Sequence, residues 1–250
     1  MCGCKMPRID NVETRGFLSV EIESHRTEAR RCHEREFADC DAWSDAAMSQ
    51  LASLGPIGGS PAKLFAVGFW MKCVRACQGA ILLAERGLIP DSMTLTRTAV
   101  EALFHAAALA VKPALVEKMV AEDRKQKRKQ AQEMTKEATI DASLSDHDRK
   151  ALRALLEEEE EEEAGAALSA YEAAEAADLL ALYQTMYRGL SLGAAHSTLT
   201  ALDHEFSQGP QGQVELDFGP STGNLEFALG MVSSCLRIGI EKMAPLIEVD

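Results

Sequence analysis

Residues Ser60–Val111 read SPAKLFAVGFWMKCVRACQGAILLAERGLIPDSMTLTRTAVEALFHAAALAV. Ser60 followed by Pro61 marks a helix start, because serine accepts from a free first-turn amide and proline suits the first turn. From Leu64 to Leu83 the run is apolar on most sides, which is the pattern of a helix at the centre of a protein. Gly87 ends it. Pro90-Asp91-Ser92 then caps a second helix, Met93–Val111. Two such helices need others to cover them. The spacing therefore predicts an all-α fold, a single-domain helical bundle of about seven helices with a protruding charged helical hairpin.

Toward the N-terminus, a helix is expected over Ser24–Leu54. Its inner stripe is Cys32, Phe37, Cys40, Trp43, Ala47, Leu51 and Leu54, and Gly55-Pro56 with Gly58-Gly59 ends it. Residues 1–23 lack a stable period and are expected to be a flexible segment, with 24–250 forming one helical domain. Toward the C-terminus, Pro113 opens a polar helix to about Ala138, and Ser145 begins another that ends near Gly165. Together, residues 113–165 form the charged arm. Ser169 and Glu172 have capping-box spacing. They open a long helix expected to reach Tyr187, kink near Gly189 or Gly193, and continue to His204. Residues 208–223 are glycine-rich, with alternation at Val214–Phe218 that permits a short strand. A last helix, Asn224–Leu246, is expected to carry Phe227, Met231, Cys235, Ile238 and Met243 inward.

The net charge of −13 gives the whole chain no attraction for nucleic acid or an anionic membrane. Much of it comes from one run, Glu157–Glu163, and a basic run holds Arg124, Lys125, Lys127, Arg128 and Lys129. An antiparallel arm would set one run beside the other. The seven cysteines read as reduced, buried small hydrophobes. The start MCGCKMPRID has no apolar signal region, and no long apolar run is free of charge. These features point to a cytoplasmic protein with no membrane partner.

Two polar stripes interrupt the apolar helices. Arg97, Glu101 and His105 lie at i, i+4 and i+8 among Val100, Leu103, Phe104 and Ala107. Charges in such a helix are costly to bury unless paired. Tyr183, Tyr187 and Ser191 repeat the spacing, with His196 a little over a turn later. The two stripes are expected to meet in one hydrogen-bonded network. The candidate catalytic residues are Arg97, Glu101 and His196, with His196 as proton carrier. His105, Tyr183, Tyr187 and Ser191 are the candidate network or ligand-binding residues. A purely structural ion pair and a satisfied histidine are the competing reading. Cys73 and Cys77 share a face of the most apolar helix and read as core. No metal ligand set and no cofactor are expected.

The stretch RTAVEALFHAAAL resembles the Arg-x-x-x-Glu helix of a bacterial family of uncharacterised helical proteins. YRGLSLGAAHS is similar to that family's Tyr-x-x-x-Ser-x-x-x-x-His segment. The resemblance covers about Lys63–Thr200 and singles out Arg97, Glu101, Tyr187, Ser191 and His196. A more distant resemblance is to HEPN helical ribonucleases, whose motif is an arginine followed closely by a histidine. Arg188 and His196 stand farther apart than that motif has them. The expected function is protein interaction, with a homo-oligomer and a protein partner. The alternative is a HEPN-like, metal-independent ribonuclease of a toxin or defence system, in which RNA would be the partner.

Overall fold

The computed structural model describes residues 15–55, 59–136, 143–157, 167–209, 211–217 and 219–247. The helices are α1 (Ile22–Cys32), α2 (Glu34–Ala52), α3 (Pro61–Ala84), α4 (Ile89–Val111), α5 (Leu115–Lys136) and α6 (Asp146–Glu157). They are followed by α7 (Ala170–Ala176), the short α8 (Leu180–Leu182) and α9 (Arg188–Leu190), and α10 (Leu225–Ile247). Strands β1 (Phe206–Gln208) and β2 (Val214–Leu216) pair antiparallel, Ser207 opposite Glu215. The protein is an all-α bundle with this one small exposed hairpin.

Helix α3 starts as its sequence dictates: the Ser60 hydroxyl accepts from the Lys63 amide, with Pro61 in the first turn. It pairs with α4 across the Gly87 turn, and α10 packs on α2, α3 and α4. Trp70, Phe104, Leu103, Leu229 and Leu236 are among the largest fully buried side chains of this core. Among the described helices, α3 alone has the length and mean hydropathy, 1.2, of a membrane span. Its inner face is core, and Lys72 and Arg75 lie on its exposed side.

Gly239 of α10 lies under the indole of Trp70 so closely that a Cβ there would stand 2.1 Å from Cζ3. Gly87 has φ +80°, and a Cβ would meet Pro220 at 2.5 Å and His25 Nε2 at 2.8 Å. The turn is pinned further by the Ser221 amide on the Gly87 carbonyl, 3.1 Å. A buried carboxylate ties the N-terminal helices to this turn. Glu85, 3% exposed, accepts from Arg30 and Arg86 at 2.6 Å each, and Arg30 also reaches Asp41 at 2.9 Å.

Several expected boundaries are corrected. The single helix Ser24–Leu54 is two, broken at His33 (φ −121°, ψ 38°). No glycine or proline marks that break. Residue 15 onward is structured, with a 3₁₀ turn at Gly16–Leu18; residues 1–14 of the expected flexible segment lie outside the described residues. Helix α4 begins at Ile89 rather than after Ser92, and the Ser92 hydroxyl is buried without a partner instead of capping. Phe227 is 63% exposed. Met231, Cys235 and Met243 are buried as expected and Ile238 is partly buried, while Leu225, Ala228 and Leu229 take the inward face where Phe227 was expected.

The capping box at Ser169 and Glu172 is present in both directions. Its hydrogen bonds from the Ser169 backbone, then from Lys118, hold the Glu172 carboxyl at a pKa of about 2. The long helix it was expected to open stops after one short stretch. Asp178 takes φ 55°, a left-handed conformation that aspartate tolerates better than most residues. Lys242 of α10 donates to the freed Ala177 carbonyl at 2.8 Å, a cation at a helix C-terminus.

Helices α5 and α6 pack against each other, and Ala131 is the one buried residue of α5. The arm therefore lies outside the core. Glu158–Glu163, the rest of the acidic run, lie outside the described residues, so the expected pairing of runs is not visible there.

Gly68 on α3 and Gly239 on α10 give opposite expectations. Gly239→Ala should destabilise by about 1–3 kcal/mol through overpacking. Gly68→Ala, which has open space above its Cα, should stabilise by up to about 1 kcal/mol through helix propensity. Urea denaturation of both variants checks the pair.

Candidate functional site

The second polar stripe does not sit on an ordinary α-helix. Between α8 and α9 the chain makes a π-helical turn, Tyr183–Tyr187, and after α9 another, Ser191–Ala195. Such widened turns recur at functional sites and change which side chains share a face. Here they bring Tyr187 and Ser191 onto α4.

Arg97 is the hub. Its Nη1 lies 2.6 Å from Glu101 Oε2, Nη2 donates to Tyr187 Oη at 2.6 Å, and Nε donates to Ser191 Oγ at 3.4 Å. Tyr187 Oη–H donates to Glu101 Oε2 at 3.3 Å, and Ser191 donates back to the Tyr187 carbonyl at 2.8 Å. The Arg97 guanidinium also lies 4.7 Å from the Tyr187 ring centroid. Tyr183 stacks on Tyr187 at 5.2 Å, and Phe104 meets Tyr187 edge-on at 5.7 Å. Burial, and then the Glu101 carboxylate, raise the Tyr187 pKa above its ordinary value of 10.0. The phenol is thereby kept as the donor that Glu101 needs.

His105 stands apart from this network. It packs on Phe69 at 5.3 Å between centroids, and its Nδ1 is buried without a partner. Burial lowers its pKa from 6.5, so the neutral imidazole is the packed form. Tyr183 contributes its ring alone: it touches Tyr187, Phe104 and Tyr171.

His196 is placed elsewhere. The π turn ends at Ala195, His196 is extended (φ −112°, ψ 148°), and the expected helical continuation to His204 is instead a 3₁₀ turn, Thr200–Glu205. His196 is exposed and shares no hydrogen bond or ion pair with Arg97, Glu101, Tyr187 or Ser191 among the described contacts. It lines an open cleft of about 470 Å³ between the start of α4, the 194–205 segment and the β-hairpin. Asp91, His204, Glu205 and Asp217 share its walls with Phe17, Ile89 and Leu202, and among the described residues no lysine or arginine does. The cleft adjoins the arginine network: Thr94 and Ala194, both in its lining, lie one turn from Arg97 and Ser191.

Residues 63–213 match the model of a family of unknown function, DUF5677. This chain belongs to that family. The matched segment holds the whole arginine network, the arm and His196, and stops before α10. No curated protein and no solved structure matches the chain. What the DUF5677 match adds is therefore extent: the Arg97 hub and both π turns lie inside it.

A cluster not expected as a site lies in the core. The sulfurs of Cys73, Cys77 and Cys235 lie within 4.8 Å of one another, all buried. Cys73 and Cys235 are 162 residues apart in sequence and 3.7 Å apart at Sγ. Burial raises the Cys73 thiol well above its usual pKa, and the hydrogen bond to Cys235 does so for Cys77. Cys40, a fourth buried thiol, is pushed up to about 12 by burial. The expectation of an all-reduced set is corrected at Cys32, which is disulfide-bonded; Cys40, Cys73, Cys77 and Cys235 are free.

Tyr187→Phe keeps the ring contacts and removes only the hydroxyl between Arg97 and Glu101. It should cost about 1–2 kcal/mol, the range for hydrogen bonds to charged groups in a half-exposed setting. A denaturant midpoint unchanged from wild type would show that the hydroxyl does not hold the π segment to α4.

Proposed function

We propose that the chain acts through protein contact and self-associates through the outer face of α3. The observation that carries this is an apolar surface on the central helix. Leu64, Phe65, Met71 and Leu82 are 53%, 42%, 46% and 53% exposed, while the opposite side of α3 is core. Leu64, Gly68, Met71 and Arg75 recur at i, i+4, i+7 and i+11, one continuous stripe. Gly68 leaves open space along it, so a second helix can approach closely. A stripe of this kind meets its own copy across a two-fold axis. Lys72 and Arg75 can lay their alkyl stems on the apolar surface and send their charges to the rim.

Leu64→Glu with Met71→Glu should weaken a wild-type dimer at least about ten-fold, or about 1.4 kcal/mol. Both residues are exposed, so the thermal midpoint of the chain itself should hold. Sedimentation equilibrium checks this. A wild type that stays monomeric at high concentration would end the proposal.

A HEPN-like ribonuclease is the second reading. It is favoured by two imidazoles, His196 and His204, in one cleft beside the Arg97 hub. There His196 would carry the proton and Arg97 would stabilise the phosphate. Two features favour the first reading instead. Arg97 is already engaged by Glu101, Tyr187 and Ser191. The charged side chains lining the cleft, Asp91, Glu205 and Asp217, set up a field that repels a phosphodiester.

Purified wild type is expected to leave single-stranded RNA uncut. His196→Ala should unfold within about 0.5 kcal/mol of wild type, as exposed substitutions do. RNA cleavage that resists chelators and vanishes in a folded His196→Ala variant would make the ribonuclease the function.

A further inference from the structure

We propose that Cys73, Cys77 and Cys235 form a three-sulfur site for a soft monovalent cation of the copper(I) class. Cys73 and Cys77 stand one turn apart on the same face of α3, and Cys235 comes from α10. Their sulfurs converge within 4.8 Å, and the Cys73–Cys235 edge is 3.7 Å. Two sulfurs bound to one ion at about 2.3 Å stand roughly 3.8–4.0 Å apart for tetrahedral to trigonal angles. One edge of the triangle is therefore already at coordination length. The other two edges lie within 4.8 Å, and each thiol turns on a single heavy-atom rotor.

The donor set selects the ion. Three sulfurs and no oxygen or nitrogen favour soft, thiophilic cations: copper(I), zinc or an iron–sulfur cluster. Structural zinc takes four ligands, and the iron–sulfur clusters take four cysteines. Among the described residues the cluster holds three. All three thiols are 0% exposed, so the site is closed to a water ligand. The remaining buried thiol, Cys40, is turned away onto the Leu229 carbonyl at 3.2 Å. The ligating species are thiolates, and each thiol that coordinates releases its proton to solvent.

The test uses full-length reduced protein carrying Cys2→Ala, Cys4→Ala and Cys32→Ala, which removes the three cysteines outside the buried set. Copper(I) is supplied anaerobically in competition with a chromophoric copper(I) chelator. One equivalent per chain is expected, with a sulfur-only X-ray absorption shell of three ligands and a raised melting temperature. Cys235→Ala and Cys73→Ala should each weaken uptake at least ten-fold, while Cys40→Ala, a thiol of the same core, should leave it unchanged. If the cluster variants do not fold, the sulfur count and thermal shift of the parent protein still decide the matter. No uptake by the parent, equal uptake by Cys235→Ala that is folded, or one equivalent of zinc bound in preference to copper(I) would each overturn the proposal.

Discussion

The bundle depends on how closely α10 can approach α3. Trp70 lies on Gly239 with no room for a Cβ between them. The same contact line places Cys235 beside Cys73. Around it, Trp70 Nε1 donates to Gln50, whose amide in turn donates to the Ile240 carbonyl of α10. One indole thus fixes the spacing of α2, α3 and α10, and buries its own N–H with a partner, as a buried tryptophan requires. Dense interiors transmit such constraints because side chains interdigitate with little free volume.

The arginine hub works on the other side of α4. A buried or half-buried charge pair is weak evidence for stability by itself, since desolvation offsets the attraction. Its stronger effect here is geometric. Arg97 reaches Glu101 on its own helix and Tyr187 and Ser191 across from it, and those two lie in the π turns at 183–187 and 191–195. The network therefore specifies how the broken helix docks on α4, and it leaves the adjacent cleft with His196 on its wall. Arg97, beside that cleft, is already engaged in holding the fold.

Much of the architecture was legible from local signals. Ser60-Pro61, the apolar run after it, Gly87, and the Ser169–Glu172 capping box each act within a few residues, and each appears in the structure as the pattern dictates. The pairing of the two polar stripes was also legible, because charges in an apolar helix need partners. The break at His33 carried no glycine or proline to announce it. Phe227 of α10 lies outward because Leu225, Ala228 and Leu229 fill the inward face of that helix's first turn, a choice among apolar residues that periodicity alone does not make.

By itself, then, the sequence determined the helical class, the central hairpin of α3 and α4, and the polar side chains that needed partners: Arg97 and Glu101 on one stripe, Tyr183, Tyr187 and Ser191 on the other. These follow from periodicity, capping and the cost of unpaired charge, all of which are properties of a segment. Only the tertiary structure decided the rest. The π turns place Tyr187 and Ser191 on Arg97 while sending His196 to the cleft, since a one-residue change of turn width redirects every later side chain. The packing of α10 on α3 gathers Cys235 with two thiols distant in sequence, and no local pattern encodes a contact across 162 residues.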